Sequence, residues 1–169
     1  MKLKRFAVAL AAAVPLAAAG IAFASGTFGE ARQATARYHS LPTAEAAGYQ
    51  LFRDAQGIAC IELPGTGAMG VHFVNGSLVG DDVLDRRRPE ALVYEQRGNN
   101  MHLVALEYIV FKSVWEEHHS GVPRLFGRPF DLVTEPNRYG LPPFYALHAW
   151  AWKVNPSGDF FAWNPRVDC

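Results

Sequence analysis

Ala91-Leu-Val-Tyr-Glu-Gln-Arg-Gly-Asn-Asn-Met-His-Leu-Val-Ala-Leu-Glu-Tyr-Ile-Val-Phe111 decides the fold. Two runs rich in Val, Leu, Tyr and Ile flank Gly98-Asn99-Asn100, whose residues tolerate the positive φ that a tight hairpin turn needs. In the second run Val104, Leu106, Tyr108 and Val110 share one face, and Ala105, Glu107, Ile109 and Phe111 share the other. Both faces are mostly apolar, so this strand is expected at the centre of a sheet, covered on both sides. Glu107 is the exception within it, because a buried carboxylate is costly unless paired or metal-bound. Its company depends on the turn. An even-length turn places Glu107 with Leu92 and Tyr94, an odd-length turn places it with Val93 and Glu95, and the sequence is compatible with both.

Working outward, further strands are predicted over residues 49–52, 58–63, 69–75 and 144–154, each rich in β-branched or aromatic residues and parted by Gly, Pro and Asn clusters. Good helix formers over 30–38, with Ala31, Ala34 and Tyr38 at helical spacing, predict a short amphipathic helix. A second follows over 42–48, with Thr43 as its cap and Gly48 as its stop, and a third over 112–119 before Gly121 and Pro123. The fold class is therefore α+β, mainly β: an antiparallel sheet or small barrel with a short N-terminal helical cover and one further short helix. Residues 125–143 carry Pro129, Pro136, Pro142 and Pro143 and read as a long ordered loop over the sheet, with Phe126, Phe130, Leu132 and Tyr139 requiring burial.

Two stretches put histidine inside apolar strand patterns. In Gly67-Ala-Met-Gly-Val-His-Phe-Val-Asn75, alternation sets Met69, Val71 and Phe73 on one face and Gly70, His72 and Val74 on the other. Gly70 weakens a strand, and its usual meaning is a bulge or the close approach of another backbone or a ligand. In Leu147-His-Ala-Trp-Ala-Trp152, alternation groups His148, Trp150 and Trp152. Either the two indoles wall a ligand or cofactor pocket oriented by the imidazole, or the three form an aromatic core layer.

The N-terminus reads as an address. Met1-Lys-Leu-Lys-Arg5 is basic, residues 6–23 are uncharged, and Ala22-Phe23-Ala24 offers small residues to a signal peptidase. The expected organisation is a signal peptide at 1–24 and one secreted or periplasmic domain at 25–169, with no stable membrane span after cleavage. Removing Lys2, Lys4 and Arg5 takes 16 basic residues to 13 against 16 acidic ones, a net charge of −3. Nothing in that balance suits nucleic acid. Cys60 and Cys169 are the two cysteines, and an even count in an oxidising compartment predicts a Cys60–Cys169 disulfide.

No His-Glu-x-x-His, Cys-x-x-Cys, Gly-x-Ser-x-Gly or phosphate-binding glycine loop is present. Glu116-Glu117-His118-His119 reads as a solvated helix end. Met69 to Asn75, Pro89 to Glu95, Leu103 to Val110, Asn137 to Pro143, His148 to Pro156, Trp163-Asn-Pro165 and Cys169 together resemble a family of small secreted bacterial proteins with no assigned activity. The resemblance implies export, one domain and a two-cysteine frame, and it carries no catalytic residue across. The Met-Gly-x-His element is also similar to small β domains of the cupin kind, whose spaced histidine-glutamate-histidine motif this sequence lacks. Two functions remain open: a secreted binding or structural module whose aromatic face, with Trp150 and Trp152, takes an apolar ligand or a protein partner; and a cupin-like domain, an oxidoreductase or a metal carrier, holding a divalent transition metal on His72, Glu107 and His148.

Overall fold

A computed structural model of the protein describes residues 27–169, and the expected signal peptide lies outside the described residues. The chain runs through α1 (Gly29–Thr35), a single 3-10 turn (Ala36–His39), α2 (Leu41–Ala46), β1 (Gln50–Leu51), β2 (Cys60–Leu63), β3 (Gly67–Val74) and α3 (Gly76–Val79). It continues through β4 (Ala91–Arg97), β5 (Asn100–Phe111), α4 (Lys112–His118), β6 (Arg124–Leu125), β7 (Arg128–Pro129), β8 (Asp131–Val133) and β9 (Phe144–Ala149). The class is α+β as expected. The sheet is open rather than closed into a barrel: its seven strands run β1-β3-β4-β5-β9-β8 with β2 also on β3, every pairing antiparallel.

The β4–β5 hairpin answers the question its sequence left open. Arg97 pairs with Asn100 across a two-residue turn in which Gly98 takes φ 58°, so the turn is even. The even register lasts to Tyr94 and Leu103, and then slips by one residue, because Val93 pairs with Ala105. Val104 is the extra residue of a β-bulge. Beyond it Glu107 stands opposite Ala91, on the face an odd turn would have given it. Val104 itself is re-aimed, packing with Ala105 and not with Leu106 and Tyr108. A second irregularity separates Ile61 from Glu62 where β2 meets β3, leaving Met69 without a partner between Ala68 and Gly70. Gly70 has φ +106°, and a Cβ there would meet the Tyr94 carbonyl oxygen at 2.6 Å, the close backbone approach its presence in a strand implied.

One face of the sheet carries the larger core. Val71, Phe73, Leu92, Tyr94, Leu106, Tyr108, Val110 and Leu147 pack there against Phe28, Ala31, Tyr38 and Ala44 from the N-terminal helical cover. Each large apolar side chain so buried contributes about 1.5–3 kcal/mol. Buried tyrosine hydroxyls here reach backbone acceptors, Tyr94 donating to Tyr38 O at 2.6 Å, Tyr49 to Pro89 O at 2.7 Å and Tyr108 to Arg86 O at 2.8 Å. The opposite face holds a smaller cluster of Ala68, Val93, Val104, Ala105, Trp150 and Val167.

Several boundaries differ from expectation. Thr43 lies inside α2, whose N-cap is Ser40, while Gly48 at φ +96° does end that helix region. The segment 125–143 is not all loop, since β8 adds to β9 and β6 pairs with β7; Phe130 is buried, but Leu132 faces outward at 44% exposure. The last strand stops at Ala149 instead of reaching residue 154, because Ala151 N–H turns back to donate to Ala149 O at 2.7 Å.

Cys60 and Cys169 are joined, with their Cα atoms 5.6 Å apart and a sequence separation of 109. The bridge fastens Cys169 to β2, where Cys60 pairs with Val71 of β3, the strand that carries His72. Cys60→Ser is expected to lower unfolding free energy by about 2–5 kcal/mol, read from urea denaturation midpoints. Glu90 gives a second test. It is 1% exposed, and although it accepts a hydrogen bond from Ile109 N–H at 3.0 Å, burial pushes its carboxyl up to about 8. The folded chain thus holds a proton there that the unfolded chain releases near 4.5, so stability falls as pH rises from 4.5 to about 8. Glu90→Gln is expected to remove a slope approaching about 1.4 kcal/mol per pH unit across that window, measured by denaturation at stepped pH.

Candidate metal centre

Three strands deliver the three polar side chains. His72 comes from β3, Glu107 from β5 and His148 from β9, where it is the direct partner of Glu107. Strand β4 runs between His72 and Glu107, with Val93 opposite the histidine and Ala91 opposite the carboxylate. Ala91 is fully buried and has the smallest side chain that keeps a Cβ, so the imidazole can reach over the strand. His72 Nε2 lies 3.2 Å from Glu107 Oε2, and His148 Nδ1 lies 3.9 Å from Glu107 Oε1, the latter too long for a hydrogen bond. Among the described residues this is the group of His, Cys, Asp and Glu side chains whose ligand atoms converge, all within 4.8 Å of one another.

Burial makes the arrangement unusual. The three residues are 5%, 7% and 3% exposed, yet His72 Nδ1 and both ring nitrogens of His148 have no hydrogen-bond partner among the described residues. Buried polar atoms are normally satisfied, and each that is not calls for an explanation such as an ion or ordered water. The charge states fit the same explanation. Burial alone would raise the Glu107 carboxyl, but the His72 imidazole beside it outweighs burial and holds the group well below the usual carboxylate range. For His148 burial dominates and pushes the pKa down, with Glu107 opposing, which favours neutral imidazole. An anionic carboxylate beside a neutral imidazole is the protonation state that metal ligation requires.

His72 and Glu107 open onto a cavity of about 60 Å³ lined by Phe52, Val74, Ile109, Phe111, Tyr139 and Leu141 among others. Tyr139 is held there by its neighbour: Arg138 donates to the buried Asp54 at 2.8 Å, and Ala55 N–H donates to Arg138 O at 3.1 Å. The Tyr139 hydroxyl has a thioether partner, donating to Met69 Sδ at 3.8 Å. Burial, with the charge of Glu107 adding to it, pushes this phenol up, so it stays an O–H donor. Ala91, Tyr139 and Met69 were not singled out for the site from sequence. Tyr139 was readable as a side chain needing burial, but nothing local tells which face it covers.

The remaining expectations fall elsewhere. Glu95 shares the alternation of Ala91 and Val93 but sits further along the hairpin, neutralised by Lys153 at 2.6 Å and Arg97 at 2.8 Å. His118 and His119 approach Asp82 at 3.1 and 3.0 Å at an exposed helix end, and the His119 ring stacks on Trp115 at 3.9 Å. Trp150 and Trp152 do not form one face with His148, because the strand that would have alternated them ends at Ala149. Trp150 stays beside His148, ring centroids 4.9 Å apart, 2% exposed and donating to Phe161 O at 2.7 Å. Trp152 joins the helical side, donating to Thr35 Oγ1 at 3.2 Å with its ring 4.4 Å from His39. Both edges border a surface hollow with Phe28, Arg32 and Asp159, which no member of the triad lines.

No protein-family profile, no curated protein and no solved structure matches this chain. The site is therefore read from its own chemistry. If Trp150 is core and Trp152 half-buried, Trp150→Ala should cost about 3–5 kcal/mol of stability and Trp152→Ala distinctly less, measured by chemical denaturation.

Proposed function

We propose that this chain is an exported β domain that binds one divalent transition metal ion between His72, Glu107 and His148. The observation that carries the reading is the convergence of these three buried donors from three strands, with imidazole nitrogens left without protein partners. Ligands about 2.0–2.2 Å from a shared ion stand roughly 3–3.5 Å from one another; the His–Glu separations here are 3.2 and 3.9 Å and no pair exceeds 4.8 Å, so the side chains would draw in around an ion. Two imidazoles and one carboxylate suit zinc, iron or copper, and three protein ligands leave a coordination position for exchange, as catalytic sites do and closed structural sites do not. The three converging buried donors support the metal reading ahead of the binding module. The disulfide supports a secreted or periplasmic location.

Elemental analysis and cobalt(II) titration of the purified full chain test the proposal. One equivalent of metal is expected, lost by at least about 100-fold in affinity in His72→Ala and His148→Ala, and retained in Glu95→Gln, whose carboxylate is neutralised elsewhere. Wild-type protein that takes up no zinc, cobalt, copper or iron would remove the reading.

A further inference from the structure

The cavity beside the triad is more specific than an open coordination position requires. Its walls are Phe52, Val74, Ile109, Phe111, Leu141 and Tyr139 among others, and His72 and Glu107 are the metal-ligating residues that line it. His148 is not among them; its ring lies toward Trp150. The free side of the centre therefore faces this cavity. At about 60 Å³ it is well under half the roughly 150 Å³ in which an apolar protein cavity holds benzene, so it suits a body of about three carbon atoms.

Charge narrows the class further. A divalent ion held by two neutral imidazoles and one carboxylate keeps a single positive charge, and in surroundings this apolar that charge attracts an anion strongly. The Tyr139 hydroxyl supplies the other polar feature. Its partner is the Met69 thioether, a weak acceptor, so the donor is free to turn toward a better one.

We propose that this site takes a small monoanion on a short apolar body, a short-chain carboxylate in the first instance, with its charged end on the metal and its chain in the cavity. Tyr139 is the positioning residue that donates a hydrogen bond to the charged end. The proposal rests on the metal reading above.

The test uses the full chain loaded with cobalt(II), whose visible bands report the metal before any ligand is added. Acetate, propionate and butyrate should each shift those bands saturably, with the dissociation constant falling roughly three- to fourfold per added methylene, the factor that burying one supplies. Branched pivalate should bind worse than propionate. Leu141→Trp, which fills the cavity, should abolish the dependence on chain length. Tyr139→Phe should weaken all three carboxylates by about tenfold while preserving that dependence, a pattern that a general loosening of the fold would not give. Cobalt bands that no carboxylate perturbs, or equal affinity from acetate to butyrate, overturn the inference while leaving the metal reading standing, and the chain-length series needs no variant to fold. An absence of cobalt bands at the outset overturns both.

Discussion

A single unpaired residue governs the geometry of this molecule. Without Val104 as a bulge, the even turn of the β4–β5 hairpin would carry Glu107 to the face of Leu92 and Tyr94, under the helices and away from His72. With it, parity reverses midway along β5, and the lower half of the strand presents Glu107, Ile109 and Phe111 to the cavity. A bulge both re-aims side chains and tightens twist. The irregularity opposite β2 does comparable work on β3, turning Met69 from the large core toward Tyr139.

The two faces of the sheet divide the labour. The helical side is thick with aromatic and aliphatic groups, several of whose hydroxyls donate to backbone carbonyls, and it supplies most of the burial that stabilises the fold. The other side has small residues around His72 and Glu107: Ala68 on β3, Ala91 and Val93 on β4, and Ala105 on β5. Small side chains there leave volume, and a buried carboxylate with two imidazoles fills part of it at a desolvation cost that apolar residues would have avoided. The loop that covers this side is itself fastened by an ion pair between the buried Asp54 and the partly exposed Arg138, so that Tyr139 is placed by a neighbour rather than by its own packing alone.

Much of this was legible in the sequence. The strands, the open question of the hairpin turn, the disulfide and the three polar residues interrupting apolar runs all followed from alternation and composition, and His72, Glu107 and His148 do meet. What could not be read was anything that depends on where alternation breaks. The slip at Val104 leaves no mark in composition, since valine suits a bulge and a regular strand alike. The end of β9 at Ala149 was hidden because Leu147-His-Ala-Trp-Ala-Trp152 keeps perfect alternation three residues past the point where the backbone turns. That separated Trp152 from Trp150. Tyr139 was placed by contacts 70 and 84 residues away in sequence, to Met69 and through Arg138 to Asp54, which no local pattern encodes.

The open sheet has a further consequence, for crowding rather than chemistry. An unclosed antiparallel sheet offers its outermost backbone to any neighbouring strand, and extended, flat margins are where chains polymerise edge to edge. Here the margins are β1 with two residues, β2 with four and β8 with three. Pro129 interrupts the chain just before β8 and Pro136 follows it, removing amide donors on both flanks. Margins so brief give an incoming strand too few rungs to hold, so the sheet that gathers the site from remote parts of the chain does so without becoming a template for fibres.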